Sequence, residues 1–234
     1  MKPPGLFSAP SNGNEHTAER RALLMAWAKD PWAFLTGVDI DGKPLIVTQD
    51  ESNAGQPFRP FPTDKPYLRL LADELLGPAK VVLVDKSRQM MVSTLCMLLL
   101  YWTVLFRPGQ KVFISKQTED LAIMLINDKV RGVHRRTPAW FQGALPLSMK
   151  PAEKAMAART GSEIIGVAQN AAVRHFRGNT ASIVLVDEAA FQEECEEIFR
   201  AAEPMASKIW LVSTANYGNP GAAFFYRLKS EVKV

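Results

Sequence analysis

Three strand ends in this 234-residue chain carry side chains whose types and spacing could do chemistry together. The first is KSRQMMVST, running from Lys86 through Ser87, Arg88, Gln89, Met90, Met91, Val92 and Ser93 to Thr94, between the apolar run KVVLV and a long apolar segment. A loop leading from a buried strand into a helix turns backbone N–H groups and the positive helix end toward an anion. Lys86 could reach the β- and γ-phosphates of a nucleotide, Arg88 adds charge, and Ser93 could ligate Mg²⁺. The phosphate-loop signature G-x-x-x-x-G-K-[ST] is absent, because the loop holds no glycine and Val92 stands where a lysine is usual. Taken alone, the segment reads first as a plain strand-to-helix turn.

The second strand end changes that balance. SIVLV followed by Asp187-Glu188 is a buried hydrophobic strand ending in two carboxylates, the Walker B pattern, in which the Asp serves Mg²⁺ and the Glu polarises an attacking water. Parallel sheets bind ligands in the crevice at the carboxyl ends of their strands. An acidic helix N-terminus stabilised by the dipole is the structural alternative. It does not explain why the basic loop and the acidic end lie about 100 residues apart, as nucleotide-binding folds arrange them. The third strand end, in KIWLVSTAN, places Ser213, Thr214 and Asn216 where they could hydrogen-bond a γ-phosphate or a water reporting its loss. Strands often end in such turn formers, so this signal has weight only after the other two. Together the three favour a phosphate-and-magnesium site.

The elements that must position these groups alternate strand and helix. Residues 80–84, 111–115, 163–168, 182–186 and 208–213 read as buried strands, with helices expected over 90–106, about 118–133 and an acidic stretch through residue 202. Near-continuous apolar strands separated by helices imply a doubly wound, mostly parallel α/β sheet with helices on both faces. Upstream, residues 17–35 read as a short helix with Pro31 as a possible break, and 37–48 as a β-hairpin turning at Asp41-Gly42. Residues 50–62 read as a loop, and 64–76 as a helix stopped by Gly77-Pro78. The expected organisation is an extension over residues 1–54, comprising a loose arm, the short helix and the hairpin, followed by a core over 55–234.

Composition narrows the classes. With 47% hydrophobic and 22% charged residues the chain is ordinary globular protein, neither disordered nor coiled-coil. Two cysteines make no disulfide framework and suggest a reducing compartment, and neither they nor the three histidines sit at zinc-ligand spacing. The N-terminus has no apolar core of a secretory signal. The uncharged run at residues 90–106 is shorter than the roughly 20 residues of a spanning helix, so a buried soluble helix, and no membrane, is expected. A net charge of +4 permits a polyanionic partner without demonstrating one.

KSRQMMVST, FISKQTEDLA, RGNTASIVLVDEAAF and LVSTAN, in this order, resemble the ATPase domain of large terminase subunits, the motors that package DNA into tailed-phage and herpesvirus capsids. The resemblance covers roughly residues 55–230. Variant loops with the lysine moved to the front and an arginine kept, as Lys86 and Arg88 show, are a mark of that family. It implies a P-loop NTPase core of the additional-strand type that hydrolyses ATP with Mg²⁺ to drive double-stranded DNA into a procapsid. In that role Lys86 to Thr94 hold nucleotide, Ser93 and Asp187 hold Mg²⁺, Glu188 is the catalytic carboxylate, and Ser213-Thr214 form the coupling motif. Arg177, close before the acidic strand as in terminases, joins Glu188 as a catalytic candidate. The implied partners are DNA, the portal protein, the small terminase subunit and further copies in a homo-oligomeric ring, in the host cell cytoplasm. The family's nuclease domain, and hence DNA cleavage, is not expected of this chain.

The sequence departs from the family in having Met91 or Val92 where a late loop glycine is usual, and Phe61 to Pro66 where an adenine-reading Gln is often found. A helicase-like translocase core and a non-hydrolysing nucleotide-binding or scaffold module are the rival readings. The basic run at residues 129–136 and the cluster Arg174 to Arg177 read either as solvated helix ends or as DNA contacts and arginine fingers. Five arginines (Arg131, Arg135, Arg136, Arg174, Arg177) exceed what one active site needs, so one is expected to serve a neighbouring subunit.

Overall fold

Asp30 ends one helix and begins the next. The structure, a computed structural model, describes residues 16–49, 58–148 and 150–231. Helix α1 (Thr17–Lys29) stops because Pro31 disfavours helical geometry at the residue before it. The Asp30 carboxylate then accepts from the Trp32 amide at 2.8 Å, and Pro31 opens α2 (Pro31–Thr36).

The hairpin expected over residues 37–48 is a tight turn with one antiparallel bridge, Val38 to Pro44. The Asp39 carboxylate accepts from the amides of Asp41 and Lys43, both at 2.9 Å, and Gly42 takes φ +74°. The Asp39 amide donates to the Lys43 carbonyl at 2.8 Å and the Leu45 amide to the Gly37 carbonyl at 2.9 Å, and Pro44, which cannot donate, keeps the pairing short. The next strand, β1 (Val47–Gln49), pairs instead with β2 (Phe58–Pro60), inside the stretch read as a loop. The arm before His16 and residues 50–57 of that loop lie outside the described residues.

The chain then runs α3 (Pro66–Leu76), β3 (Val81–Lys86), α4 (Val92–Phe106), β4 (Lys111–Lys116), α5 (Glu119–Ile126), α6 (Gly132–Arg136) and α7 (Ala139–Ala144). It continues through β5 (Lys154–Ala157), β6 (Ser162–Ala168), α8 (Gln169–Phe176), β7 (Ala181–Asp187), α9 (Cys195–Ala202), β8 (Ala206–Thr214) and α10 (Pro220–Glu231). The sheet order is β3-β8-β7-β4-β6-β5, parallel throughout except for the edge strand β5. β8 is therefore inserted between the strand that feeds the basic loop and the strand that ends in Asp187.

Alternate residues of each strand bury on opposite faces. Val112, Ile114, Leu185 and Val212 join the core formed with α1, α2 and α4, while Phe113, Val184, Val186 and Leu211 join Phe176, Ile198 and Phe225 of α8, α9 and α10. Every residue of α4 from Thr94 to Phe106 is buried, which explains its uncharged sequence. No helix among the described residues is long and apolar enough to cross a membrane. Cys96 and Cys195 are buried free thiols, and burial, with Glu197 and Glu196 nearby, pushes the Cys195 thiol up to about 12.

The helix expected over 118–133 is α5, a π turn over Asn127–Arg131, and α6. Most of its cations have structural partners. The Arg131 guanidinium donates to Asn127 Oδ1 and the Ala152 carbonyl, both at 2.7 Å, and to the Pro151 and Lys154 carbonyls, so it anchors the entry to β5. Arg136 donates to the Val47 carbonyl at 3.2 Å and lies over the Phe58 ring. His134 is buried, with Nδ1 2.7 Å from the Tyr101 hydroxyl, and burial lowers its pKa from 6.5 to about 4.

That shift has a stability consequence. The unfolded chain takes up the His134 proton first as pH falls, so the stabilisation from neutral His134 is complete above 6.5 and is lost between there and about 4. Denaturant unfolding at pH 7.5 and pH 5 should differ by about 2 kcal/mol from this group, and His134→Phe should remove that part of the difference.

Candidate functional site

The carboxyl ends of β3, β4, β7 and β8 open into a cleft of about 480 Å³. Of the residues singled out from sequence, Lys86, Arg88, Gln89, Met90, Met91, Val92, Ser93, Thr94, Asp187, Glu188 and Thr214 line it. Ser87 is exposed outside the lining, and Ser213 is fully buried beneath it.

The loop achieves its tight path without glycine. Gln89 and Met91 take φ +61° and +56°. This left-handed region costs an L-residue roughly 1–2 kcal/mol. Met90 and Met91 pack against the core beneath α4, and the Tyr67 hydroxyl donates to the Met90 carbonyl at 3.2 Å, so packing holds the geometry. Met91 caps α4, and the loop brings the amides at that helix N-terminus to the cleft.

Both carboxylates are fully engaged. Asp187, 2% exposed, accepts from Ser93 Oγ at 2.7 Å on Oδ1 and from Lys116 Nζ at 2.8 Å on Oδ2. Glu188 accepts from Lys86 Nζ at 2.9 Å, from the Thr214 amide at 3.2 Å and from Thr214 Oγ1 at 3.0 Å. Burial opposes ionisation of Glu188, but the Lys86 ammonium and the two Thr214 donors outweigh it and hold its carboxyl below the ordinary range. Glu188 itself sits at φ +55°, a sharp turn that aims its side chain back across the end of β8.

The turn after Glu188 is wired to three elements. Buried Gln192 accepts from Ser115 Oγ at 2.7 Å and donates to the Ser115 and Asp187 carbonyls, tying β4 to β7. Ser213 Oγ accepts from the Ala190 amide at 3.0 Å, and Asn216 donates to the Ala190 carbonyl at 2.8 Å. Gly221 of α10 lies so close that a Cβ there would stand 1.9 Å from the Gln192 carbonyl oxygen. The Ser-Thr-Ala-Asn segment thus touches both Glu188 and the backbone that carries it.

Arg177 is not brought to this cleft. It is exposed and precedes the N-terminal end of β7, whereas Asp187 closes the other end. Seven residues of strand put roughly 20 Å between them, so Arg177 cannot reach its own chain's cleft. Conversely, Lys116, Gln117, Lys129 and Gln192 belong to the site or its support, a place the sequence reading gave to none of them. Lys116 could have been found by the rule that found Asp187, since it also ends an apolar strand at the sheet's carboxyl edge.

Lys86, Arg88, Lys116 and Lys129 against Asp187 and Glu188 leave four cations facing two anions, a balance suited to a polyphosphate. Mg²⁺ favours hard oxygen ligands and takes only one or two from the protein when phosphates and water supply the rest. Asp187 and Ser93 fit that donor set, and the loop amides with Lys86 and Arg88 fit the phosphates. No group of three or more His, Cys, Asp or Glu side chains that could hold a metal ion exists among the described residues.

Sheet order, basic loop and acidic strand end together define a mostly parallel α/β sheet of six strands, with β8 inserted between the strand that feeds the loop and the strand that ends in Asp187. No protein-family profile matches the sequence, and no curated protein does. Among solved structures, the chain superposes on the large terminase of bacteriophage HK97 with a TM-score of 0.60, at 12% identity, over 87% of this chain and 42% of that one. It superposes on the large terminase of a thermophilic bacteriophage with a TM-score of 0.52, at 14% identity, over 74% of this chain and 43% of that one. The chain has the fold found in these phage large terminases and spans less than half the length of either.

Proposed function

We propose that this chain is the ATPase motor domain of a viral large terminase, hydrolysing ATP to move double-stranded DNA into a procapsid in the host cell cytoplasm. The observation that carries the reading is the meeting of Lys86, Ser93, Asp187, Glu188 and Thr214 in one cleft at the sheet's carboxyl edge. In this reading residues 55–234 form the motor core and residues 1–54 an extension. Lys86, Arg88 and the loop amides bind the phosphates, and Asp187 with Ser93 holds Mg²⁺, which neutralises phosphate charge when bound. Glu188 accepts a proton from, and orients, the attacking water. Lys86 must leave Glu188 to meet a phosphate, so ligand entry frees the carboxylate for that work. Thr214, bonded to Glu188 through two donors, and Ser213, bonded to the next turn, register the change and pass it on. The portal protein, the small terminase subunit and other copies in a ring are the working partners, and Arg177 acts on a neighbouring copy's cleft.

The test is phosphate release from ATP by the purified chain, with and without Mg²⁺, beside Asp187→Asn. Mg²⁺-dependent release that falls at least about 100-fold in the variant is expected. Absence of both nucleotide binding and release in the unsubstituted chain overturns the reading.

A further inference from the structure

We propose that Lys116 is a built-in counter-cation that competes with the divalent metal for Asp187, so that tight metal binding requires a nucleotide to receive the displaced ammonium. The inference rests on Asp187 being the metal-binding carboxylate, and it assigns a positioning role to a residue outside the phosphate loop.

The geometry comes from strand register. β4 and β7 are parallel neighbours with Ser115 opposite Val186, so the next residues, Lys116 and Asp187, leave the sheet at the same edge. Lys116 Nζ lies 2.8 Å from Asp187 Oδ2, and Ser93 Oγ lies 2.7 Å from Oδ1. The two charged side chains are only 15% and 2% exposed, so water offers little alternative solvation. A buried carboxylate without a positive partner is strongly destabilising, and Lys116 supplies that partner from within the chain.

A divalent cation that takes Asp187 must therefore separate a short, poorly hydrated ion pair. Metal alone supplies no new anion, and the displaced ammonium is left facing added positive charge. A metal–nucleotide complex brings phosphates into the same cleft that Lys116 lines, so the ammonium exchanges one anion for another. Metal and nucleotide then favour each other's binding, and the coupling is reciprocal. Lys86 is bonded to Glu188 in a separate pair.

The experiment titrates Mn²⁺ into the purified chain without nucleotide, following free Mn²⁺ by electron paramagnetic resonance, and repeats the titration with ATP analogue present. Lys116→Met keeps length and volume without charge; it should bind Mn²⁺ alone about tenfold or more tighter than the unsubstituted chain. Adding Asp187→Asn should abolish that gain. Lys116→Arg should keep metal-only binding weak, because the charge remains. The factor by which the analogue tightens Mn²⁺ should fall toward one in Lys116→Met and persist in Lys116→Arg. Lys116→Gln, which keeps a donor for Asp187, gives the same readings if the Met variant fails to fold. Metal-only binding no tighter without the Lys116 charge, or unchanged coupling to the analogue, overturns the proposal. Failure of the unsubstituted chain to bind any nucleotide would instead remove the ATPase reading, while the metal-only titrations would still report on Lys116 and Asp187.

Discussion

Glu188→Gln should bind ATP as tightly as the unsubstituted chain and release phosphate about 10² to 10⁴ times more slowly. The substitution keeps the side chain's shape, and its amide oxygen can still accept from the Thr214 amide and hydroxyl that now hold Oε2. What disappears is the negative charge that Lys86 balances and that would accept a proton from water. Affinity and turnover must therefore be measured separately, by nucleotide titration and by single-turnover phosphate release. Loss of affinity in parallel with turnover would make Glu188 a scaffold for Lys86 and Thr214. Normal turnover would remove it from the chemistry altogether.

An effect of comparable size is expected from Arg177, and only between chains. Arg131 is engaged by backbone carbonyls around β5, and Arg136 by Val47 and Phe58, so neither is available to donate. Arg135, Arg174 and Arg177 remain exposed, and Arg177 lies at the wrong end of β7 for its own cleft. Arg177→Ala should lose on the order of 10³ or more in turnover under conditions where the chain assembles. Mixed with Glu188→Gln, it should recover activity, because the second subunit donates an intact arginine to the first subunit's intact Glu188. An arginine acting within its own chain gives no recovery at any ratio. Activity unchanged in Arg177→Ala would move the search to Arg135 and Arg174, tested in the same mixture.

The parts of this molecule legible in its sequence are those governed by local pattern. Buried parallel strands must be apolar on both faces, so residues 182–186 and 208–213 declared themselves, and the carboxylates at Asp187 and Glu188 were placed by the strand that precedes them. The loop at residues 86–94 was harder. Its lack of glycine argued against a tight path, yet Gln89 and Met91 adopt left-handed backbone because Met90, Met91 and Tyr67 are pinned by packing no sequence window contains. Lys116 was legible as a strand-end residue, but its pairing was not, because its partner lies 71 residues away on the neighbouring strand. Apart from Asn127 Oδ1, the cage around Arg131 is made of main-chain carbonyls, which have no sequence identity at all. The Asp41-Gly42 signal marked a real but short hairpin, whose arms are joined by the Asp39 and Leu45 amides while the Asp39 side chain takes the Lys43 amide.

The contact at Gly221 ties the position of α10 to that of the turn after Glu188. Because no side chain cushions the approach to the Gln192 carbonyl, the helix is seated backbone to backbone on the turn that follows Glu188. A rise of 1.5 Å per residue gives the 12-residue helix a length of about 18 Å, with its seat near one end. A tilt of about 5° at the seat would carry the far end about 1.5 Å, against the ion pairs of Arg227 with Glu196 and Lys229 with Asp85 that hold the outer half of the helix.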